Sequence, residues 1–277
     1  MRFIAIVMLA SSSMLANAQT LKRNTKLPEG LTITKINQSK MTSNTEMMGQ
    51  SMTSLAENTM TASISIAKQV DTTTEVTITI TKASIKAEAM GQAMEYDSES
   101  KNDGPLQETF ANIVNKPNTI WVNNKGLVVK TANKGDENAD AVLTMLGGTG
   151  NITIKEGSRI NLLLTLPSNE VKVGTNWADS TEANGTKEVT FYTYAGNVGG
   201  VAKIEYRTTI TQRTKMERMG MEMNSEMAGV GAGILEVDPM TLLIKKRTAK
   251  ITLKGNIEAM GASIPTEVIT EMVETVQ

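Results

Sequence analysis

A tetrapeptide of the form Glu-x-Met-Gly occurs four times in this chain, at nearly equal spacing. The copies are residues 46–49, 88–91, 217–220 and 258–261. The first two copies are 42 residues apart (88 minus 46) and the last two are 41 apart (258 minus 217). Composition alone would give roughly 0.1 such tetrapeptides, so the pattern indicates an internal duplication.

The duplication predicts where the chain turns. A second motif, Val-Asp-x-x-Thr, lies between the copies of each pair, at residues 70–74 and 237–241. We interpret it as a turn in which the aspartate caps its own backbone. The tetrapeptides are interpreted as hairpin tips at the opposite end, with glycine as the fourth residue of a type I turn. The turn glycines are Gly49, Gly91, Gly220 and Gly261.

Apolar and polar residues alternate through most of the chain, which is typical of half-buried strands. Val76, Ile78 and Ile80 are one such run, and residues 160–166, with leucine at every second position from 162, are another. The apolar phase changes after Ile80 and again between Ile244 and Ala249. Because side chains alternate between faces, each change predicts an extra residue in the strand, that is, a β-bulge and a curved sheet.

The predicted fold is therefore all-β, with two internally duplicated four-stranded antiparallel meanders that form curved sheets or half-barrels. The meanders cover about residues 40–99 and 201–275. We expect an N-terminal β repeat with a short helical insert at 19–150 and a C-terminal β repeat at 151–277, or one continuous domain.

The segment between the repeats breaks the alternation. Residues 106–114 and 141–146 predict one or two short helices in the middle of the chain. Residues 123–126 (Asn-Asn-Lys-Gly) and 196–200 (Gly-Asn-Val-Gly-Gly) predict two further hairpin turns.

The first 18 residues have the pattern of a secretory signal peptide. Arg2 supplies the positive charge, residues 3–10 form a short apolar core, and Ala16 and Ala18 form an A-x-A cleavage site. The mature chain is then expected to start at Gln19 and to be exported to the periplasm or the cell exterior.

The composition argues against several classes of function. The chain has no cysteine and no histidine, which removes a lipoprotein anchor, disulfides, thiol nucleophiles, Ser-His-Asp triads and histidine metal sites. Cleavage before Gln19 leaves 27 basic residues (28 minus 1) against 29 acidic ones, a net charge of −2. That balance argues against nucleic acid as a partner. No later stretch is apolar enough for a transmembrane span.

Methionine is unusually abundant, with 19 residues. The densest cluster includes Met216, Met219, Met221 and Met223. Thioethers are soft ligands that suit Cu(I), so a copper site in this cluster is one hypothesis. The other is that methionine fills irregular apolar space or forms an adaptable apolar surface, without a bound metal or cofactor.

The composition favours a non-catalytic protein, although carboxylates alone leave acid–base catalysis as an alternative. A curved sheet with pliable methionines can enclose an apolar cavity, which predicts a lipid or other apolar ligand. A filled core that binds nothing fits the same pattern. The protein would then be a structural or interaction protein that contacts an envelope protein through strand edges or hairpin tips.

Three short segments carry a family resemblance. They are residues 96–98 (Tyr-Asp-Ser), 121–130 with an Asn-Lys-Gly turn, and 166–177, which contains Leu-Pro and then Val-Lys-Val-Gly-Thr-Asn-Trp. They resemble an uncharacterised family of exported β-rich proteins common in the Bacteroidetes, a domain of unknown function. The family has no assigned activity, so the resemblance implies no catalytic residue. Many members look like lipoproteins, from which this chain departs because it lacks cysteine.

Two further resemblances concern glycosylation and the outline of the fold. Residues 71–73 (Asp-Thr-Thr) and 179–181 (Asp-Ser-Thr) look similar to the short O-glycosylation motif of that phylum. In outline, the predicted curved sheet is also similar to that of periplasmic lipoprotein carriers, a likeness of fold alone.

Overall fold

The structure, a computed structural model, describes residues 19–23, 26–47, 49–89, 91–100, 106–111, 113–132, 154–183, 185–218, 221–259 and 261–277. These ranges contain fourteen β-strands and one short helix. They are β1 (Thr20–Lys22), β2 (Thr32–Met47), β3 (Gln50–Val70), β4 (Thr73–Ala89), β5 (Gln92–Asp97), α1 (Gln107–Ala111), β6 (Pro117–Asn123), β7 (Val128–Thr131), β8 (Glu170–Lys172), β9 (Asn176–Ala183), β10 (Thr186–Val198), β11 (Val201–Arg218), β12 (Met221–Val237), β13 (Ile244–Ala259) and β14 (Ala262–Val276).

Seven strands are much longer than the five or six residues that are usual. β2, β3, β4 and β11 to β14 have between 15 and 21 residues each. At the rise of an antiparallel strand this is roughly 50–70 Å. Threonine, isoleucine and valine alternating along these segments favour an extended backbone with one buried face.

One antiparallel sheet of twelve strands contains both repeats. Its order is β7-β6-β4-β3-β2-β14-β13-β12-β11-β10-β9, and β5 also pairs with β4. The repeats join where β14 pairs with β2, from Thr266 opposite Thr45 to Val276 opposite Lys35. The predicted all-β, internally duplicated fold is confirmed. The helix predicted at 106–114 is the short α1, and the one predicted at 141–146 lies outside the described residues.

Both predicted bulges are present. The pairing of β4 with β3 skips Thr81, and the pairing of β13 with β12 skips Lys245. In the sequence, the apolar residues after each bulge are out of phase with those before it. The extra residue compensates for this shift, so the apolar side chains on both sides of the bulge point to the same buried face.

The run at 160–166 is not a strand, in contrast to its alternation. Together with the two residues before it, it forms an irregular segment, residues 158–166, that crosses the buried face and that we call the strap. Its backbone joins two distant parts of the sheet, since Val128 N–H donates to the carbonyl of Ser158 (2.9 Å) and Leu164 N–H donates to the carbonyl of Leu242 (2.9 Å). These bonds replace a regular ladder, and Leu162, Leu164 and Leu166 enter the core.

The core lies between the strap and the sheet. Leu162 packs with residues of β2, β3, β4, β6 and β7, whereas Leu164 and Leu166 pack with residues of β9 to β13. A third cluster joins α1 to the sheet, where the ring of Phe110 stacks on that of Tyr96 with centroids 4.8 Å apart. Among the described strands, β5 and β7 lie at one edge of the sheet and β9 at the other. The strap contacts β7 and β9, because Arg159 also forms an ion pair with Asp179 of β9.

Candidate functional site

The described glycines of the repeated tetrapeptides lie at one rim of the sheet, because successive hairpins in a meander turn at alternate ends. Gly49, Gly91 and Gly261 have φ of 76°, 73° and 78°. Met47 and Gln50 pair directly, so the glycine is the second residue of a two-residue loop, which is the third position of the four-residue turn, and not the fourth residue of a type I turn. A positive φ at that position is what type II and type I′ turns require, and glycine adopts it without strain. Gly220 lies outside the described residues.

The other residues singled out in the sequence contribute little to a described site. Ala16, Ala18 and Met219 lie outside the described residues, as do the side chains of Met216, Met221 and Met223. The backbones of Met216 and Met223 are directly opposite each other on β11 and β12. Gln19 is anchored to the sheet, since its carboxamide oxygen accepts the N–H of Asn197.

A group of charged side chains lies on the buried face where the repeats meet. Glu274 accepts from Lys35 at 2.8 Å and lies 4.0 Å from the guanidinium of Arg247. The hydroxyl of Tyr206 accepts from Nε of Arg247 (3.1 Å) and donates to the carbonyl of Thr248 (3.0 Å). Burial opposes the charge of Arg247, but Tyr206 and Glu274 together raise its pKa above the ordinary value. The group is paired and packed into the core at the junction between the repeats, so loss of one member would be costly, and it offers no open binding site.

The opposite, exposed face has a groove of about 980 Å³ that runs across the strands. Its lining consists of Thr193 and three consecutive residues on each of six strands, namely 38–40, 57–59, 205–207, 232–234, 248–250 and 271–273. In each triplet the middle residue, such as Tyr206 or Ala249, belongs to the buried face, because side chains alternate along a strand. The side chains that reach the groove are therefore those of the two outer residues of each triplet.

The strand register arranges these side chains in two parallel rows. The first row is Thr193, Glu205, Ile234, Thr248, Val273, Gln38 and Thr59, and the second is Arg207, Ala232, Lys250, Glu271, Lys40 and Glu57. The rows are two residues apart along each strand, and the groove crosses from β10 to β3. Strand geometry then makes the groove roughly 7 Å wide and roughly 29 Å long.

Two ion pairs lie along the second row, Lys250–Glu271 at 2.8 Å and Lys40–Glu57 at 2.9 Å. The hydrogen bond from Lys40, followed by its charge, lowers the pKa of Glu57, and Lys250 lowers the pKa of Glu271 in the same way. All four side chains are more than half exposed, so these pairs contribute little to stability. They neutralise each other and leave the aliphatic stems of the lysines against the groove.

The apolar part of the groove comes from the first row and from β12. Ile234 is 42% exposed, Val273 is partly buried, and Ala232 is the one uncharged position of the second row. A narrow channel with apolar positions beside paired charges can hold an extended chain with a polar end, which is the shape of a single-chain amphiphile.

Sequence reasoning missed the groove because no local signal marks it. The row that contains Lys250, Glu271 and Lys40 takes one residue from each of six strands, and their alignment depends on a register that the sequence does not state. The tertiary pairing of β14 with β2 is what brings the two halves of the groove together. Within the described ranges, no group of three or more acidic residues is placed to hold a metal ion.

Comparison with solved structures supports the fold. The chain has a TM-score of 0.50 to the structure entitled "Lipid-protein interactions in lipovitellin", with 11% identity over 91% of this chain and 26% of that one. It thus spans about a quarter of lipovitellin. An outer-membrane channel from Pseudomonas putida F1 (TM-score 0.22, 9% identity, 95% of this chain and 98% of that one) and OccK5 (OpdH) of Pseudomonas aeruginosa (TM-score 0.25, 6% identity, 90% and 100%) also match.

Comparison with known sequences identifies a family but no characterised relative. A model described as a family of unknown function (DUF6263) matches residues 71–147 and 130–244. These overlapping segments cover more than half of the chain. No curated protein matches. In the part of the chain that the structure describes, no helix is both long enough and apolar enough to cross a membrane.

Proposed function

The chain belongs to the family of unknown function DUF6263, and we propose that it is an exported, non-catalytic protein of the cell envelope that binds a lipid or other apolar ligand. The observation that carries the proposal is the groove on the exposed face, about 980 Å³ in volume and lined by Ile234, Val273 and Ala232 beside paired charges. Its volume lies at the upper end of the range that is usual for small-molecule sites.

Three further observations support the proposal. The signal-like pattern of residues 1–18 supports export. The lack of cysteine and histidine supports a binding role over a catalytic one. The likeness to lipovitellin is one of fold, and it supports the idea that a long-stranded antiparallel sheet of this kind is suited to lipid.

The binding test uses the neutral apolar dye N-phenyl-1-naphthylamine and the variant Ile234→Asp. An apolar ligand would have to displace water from a carboxylate at this position, so the variant is expected to bind the dye about tenfold more weakly, which is about 1.4 kcal/mol. Fluorescence titration measures the dissociation constant.

The matched control is Val70→Asp. Val70 is 66% exposed and lies at the end of β3, outside the groove, so its substitution should leave dye binding unchanged. Equal binding by Ile234→Asp and the unaltered protein would contradict a ligand site in the groove. Native mass spectrometry of protein purified from its own envelope would then decide between a ligand elsewhere and a structural or interaction role.

Copper binding is the second candidate, favoured by the direct backbone pairing of Met216 with Met223. Calorimetry with Cu(I) tests it against a variant with Met216, Met219, Met221 and Met223 changed to leucine. Equal affinity of the two proteins would exclude a thioether site in this cluster.

A further inference from the structure

One end of the groove differs from the rest in its charges. The groove-facing side chains include three cations and three anions, of which two pairs are bridged to each other. The third cation and the third anion are Arg207 and Glu205, both exposed on β11. Neither has an ion pair or a side-chain hydrogen bond within the described chain. This end therefore presents one unpaired positive charge and one unpaired negative charge.

The surroundings of Arg207 explain why it has no partner. Phe191 on β10 and Ala232 on β12 are directly opposite it. Val230 and Ile234 flank Ala232 along β12 on the same face. Phe191, Val230 and Ile234 are 55%, 61% and 42% exposed. Three large exposed apolar side chains thus surround a single guanidinium, an arrangement that combines an apolar contact surface with a charge anchor.

The positions of Arg207 and Glu205 define a pattern for a ligand. They are two residues apart on one strand, so both point to the exposed face and their Cα atoms are roughly 7 Å apart. A guanidinium donates two parallel hydrogen bonds to a phosphate or carboxylate, and a carboxylate attracts an ammonium group. A ligand with a single negative charge would satisfy Arg207 and be repelled by Glu205. A headgroup that carries both charges satisfies both residues.

The geometry points to a single-chain amphiphile with a zwitterionic phosphate–amine headgroup as the ligand of this groove. Its phosphate binds Arg207, its amine faces Glu205, and its chain extends along the groove toward β3. A width of roughly 7 Å admits one extended alkyl chain and not two side by side, and a length of roughly 29 Å accommodates a long one. This inference rests on the proposed function, since it assigns the chemistry of a ligand in the same groove.

The test compares ligands that have chains of nearly equal length (eleven or twelve alkyl carbons) and differ in headgroup. They are dodecylphosphocholine, dodecanoate, dodecyltrimethylammonium and dodecyl maltoside, each titrated below its micelle concentration into the mature protein by calorimetry. Dodecylphosphocholine should bind most tightly. Arg207→Gln should weaken its binding about tenfold, the size expected for one charge-assisted contact, and should leave the affinity for dodecyl maltoside unchanged.

Two further variants test whether the headgroup preference depends on the positive charge of Arg207. Arg207→Lys keeps the charge and should retain most of the preference for the zwitterion. Arg213→Gln is the matched control, because Arg213 lies on the same strand and the same face, is 73% exposed and is paired with Glu226 outside the groove. It should leave every affinity unchanged.

The outcomes separate this inference from the proposed function. Binding that is weakened by Ile234→Asp but is the same for all four headgroups would overturn the headgroup assignment and leave the groove as an apolar site. Tighter binding of dodecanoate than of dodecylphosphocholine would overturn it in favour of an anionic ligand. No binding of any dodecyl compound would overturn both.

Discussion

At the scale of single residues, the glycines of β12 show how closely the sheet is packed. Gly233 is on the buried face, directly opposite Tyr206 on one side and Ala249 on the other. A Cβ atom there would lie 1.9 Å from the carbonyl oxygen of Thr248 and 2.7 Å from the Tyr206 hydroxyl. Glycine is needed here because another backbone and an aromatic ring occupy the space of a side chain.

Gly233→Ala is therefore expected to lower the free energy of unfolding by about 3 kcal/mol, because a backbone atom cannot move aside as a side chain can. Gly231→Ala is the matched comparison. Its Cβ would meet the methyl group of Thr208 and the Cγ1 methylene of Ile251 at 2.9 and 3.0 Å. These are side-chain atoms that can shift, so its cost should be clearly smaller. Urea denaturation of both variants measures the difference, and equal costs would contradict the role given to the Thr248 backbone.

A second residue-scale feature is the cap in the turn after β12. The carboxylate of Asp238 accepts the N–H groups of Met240 and Thr241, both at 2.9 Å. The bond from Thr241 lowers the pKa of Asp238, partial burial opposes this, and the bond from Met240 adds to it. Asp71, in the equivalent turn of the first repeat, has no such carboxylate bond among the described residues and adopts a φ of 54° instead.

The pH dependence of this stabilisation follows from the lowered pKa of Asp238. Ionised Asp238 stabilises the fold above the unfolded-state pKa of about 3.9, and this contribution is lost as the pH falls through the folded-state value. Asp238→Asn should therefore destabilise the protein at pH 7, and the difference from the unaltered protein should shrink toward zero in acid. Thermal unfolding at several pH values measures this difference in stability. Asp71→Asn should differ less from the unaltered protein at pH 7. A difference for Asp238→Asn that does not depend on pH would contradict this account.

At the scale of elements, the bulges determine which face of a long strand is buried. Thr81 in β4 and Lys245 in β13 are each skipped by the neighbouring strand. Without the extra residue, the side chains on one side of the bulge would point to the opposite face, because a shift of one residue exchanges the two faces of a strand.

Deletion of Thr81 should lower the free energy of unfolding by more than about 3 kcal/mol, since it forces either Ile85 or Val76 out of the core. Substitution Thr81→Ala keeps the bulge and should have a small effect. Circular dichroism during denaturation compares the two variants. If the deletion variant were as stable as Thr81→Ala, the bulge would not be what orients the strand.

At the scale of the whole molecule, the junction between β14 and β2 holds the two repeats in one sheet. Glu274 lies at this junction between Lys35 and Arg247, with its side chain 13% exposed. Its neutralisation would leave two cations without a counter-charge on the buried face, and removal of one partner of such a group is costly even where the intact group adds little.

Glu274→Gln is expected to lower the free energy of unfolding by about 3 kcal/mol. Glu271→Gln, on the exposed face of the same strand, also removes a carboxylate that is paired with a lysine and should change stability very little. Chemical denaturation distinguishes the two. An equally small effect of both substitutions would mean that strand pairing alone, without this ionic group, holds the repeats together.

Several features of the fold could be predicted from the sequence because they depend on consecutive residues. Alternation, the turn glycines and the two changes of phase are patterns of neighbours, and they predicted strands, hairpin ends and bulges. The alternation at 160–166 predicted a strand and was wrong. Alternating leucines also suit a strap that packs one face against the sheet, and periodicity does not distinguish a segment that pairs from one that only packs.

The sequence alone determined that this chain folds as duplicated long-stranded hairpins with one apolar face. Only the tertiary structure decided that the repeats join through β14 and β2, where Thr266 pairs with a residue 221 positions away (266 minus 45). It also decided that Arg207, Ile234 and Lys40 lie along one groove. The reason is physical: the direction of a side chain follows from its own backbone, whereas the neighbours of that side chain on other strands follow from pairing between distant segments, which local periodicity does not encode.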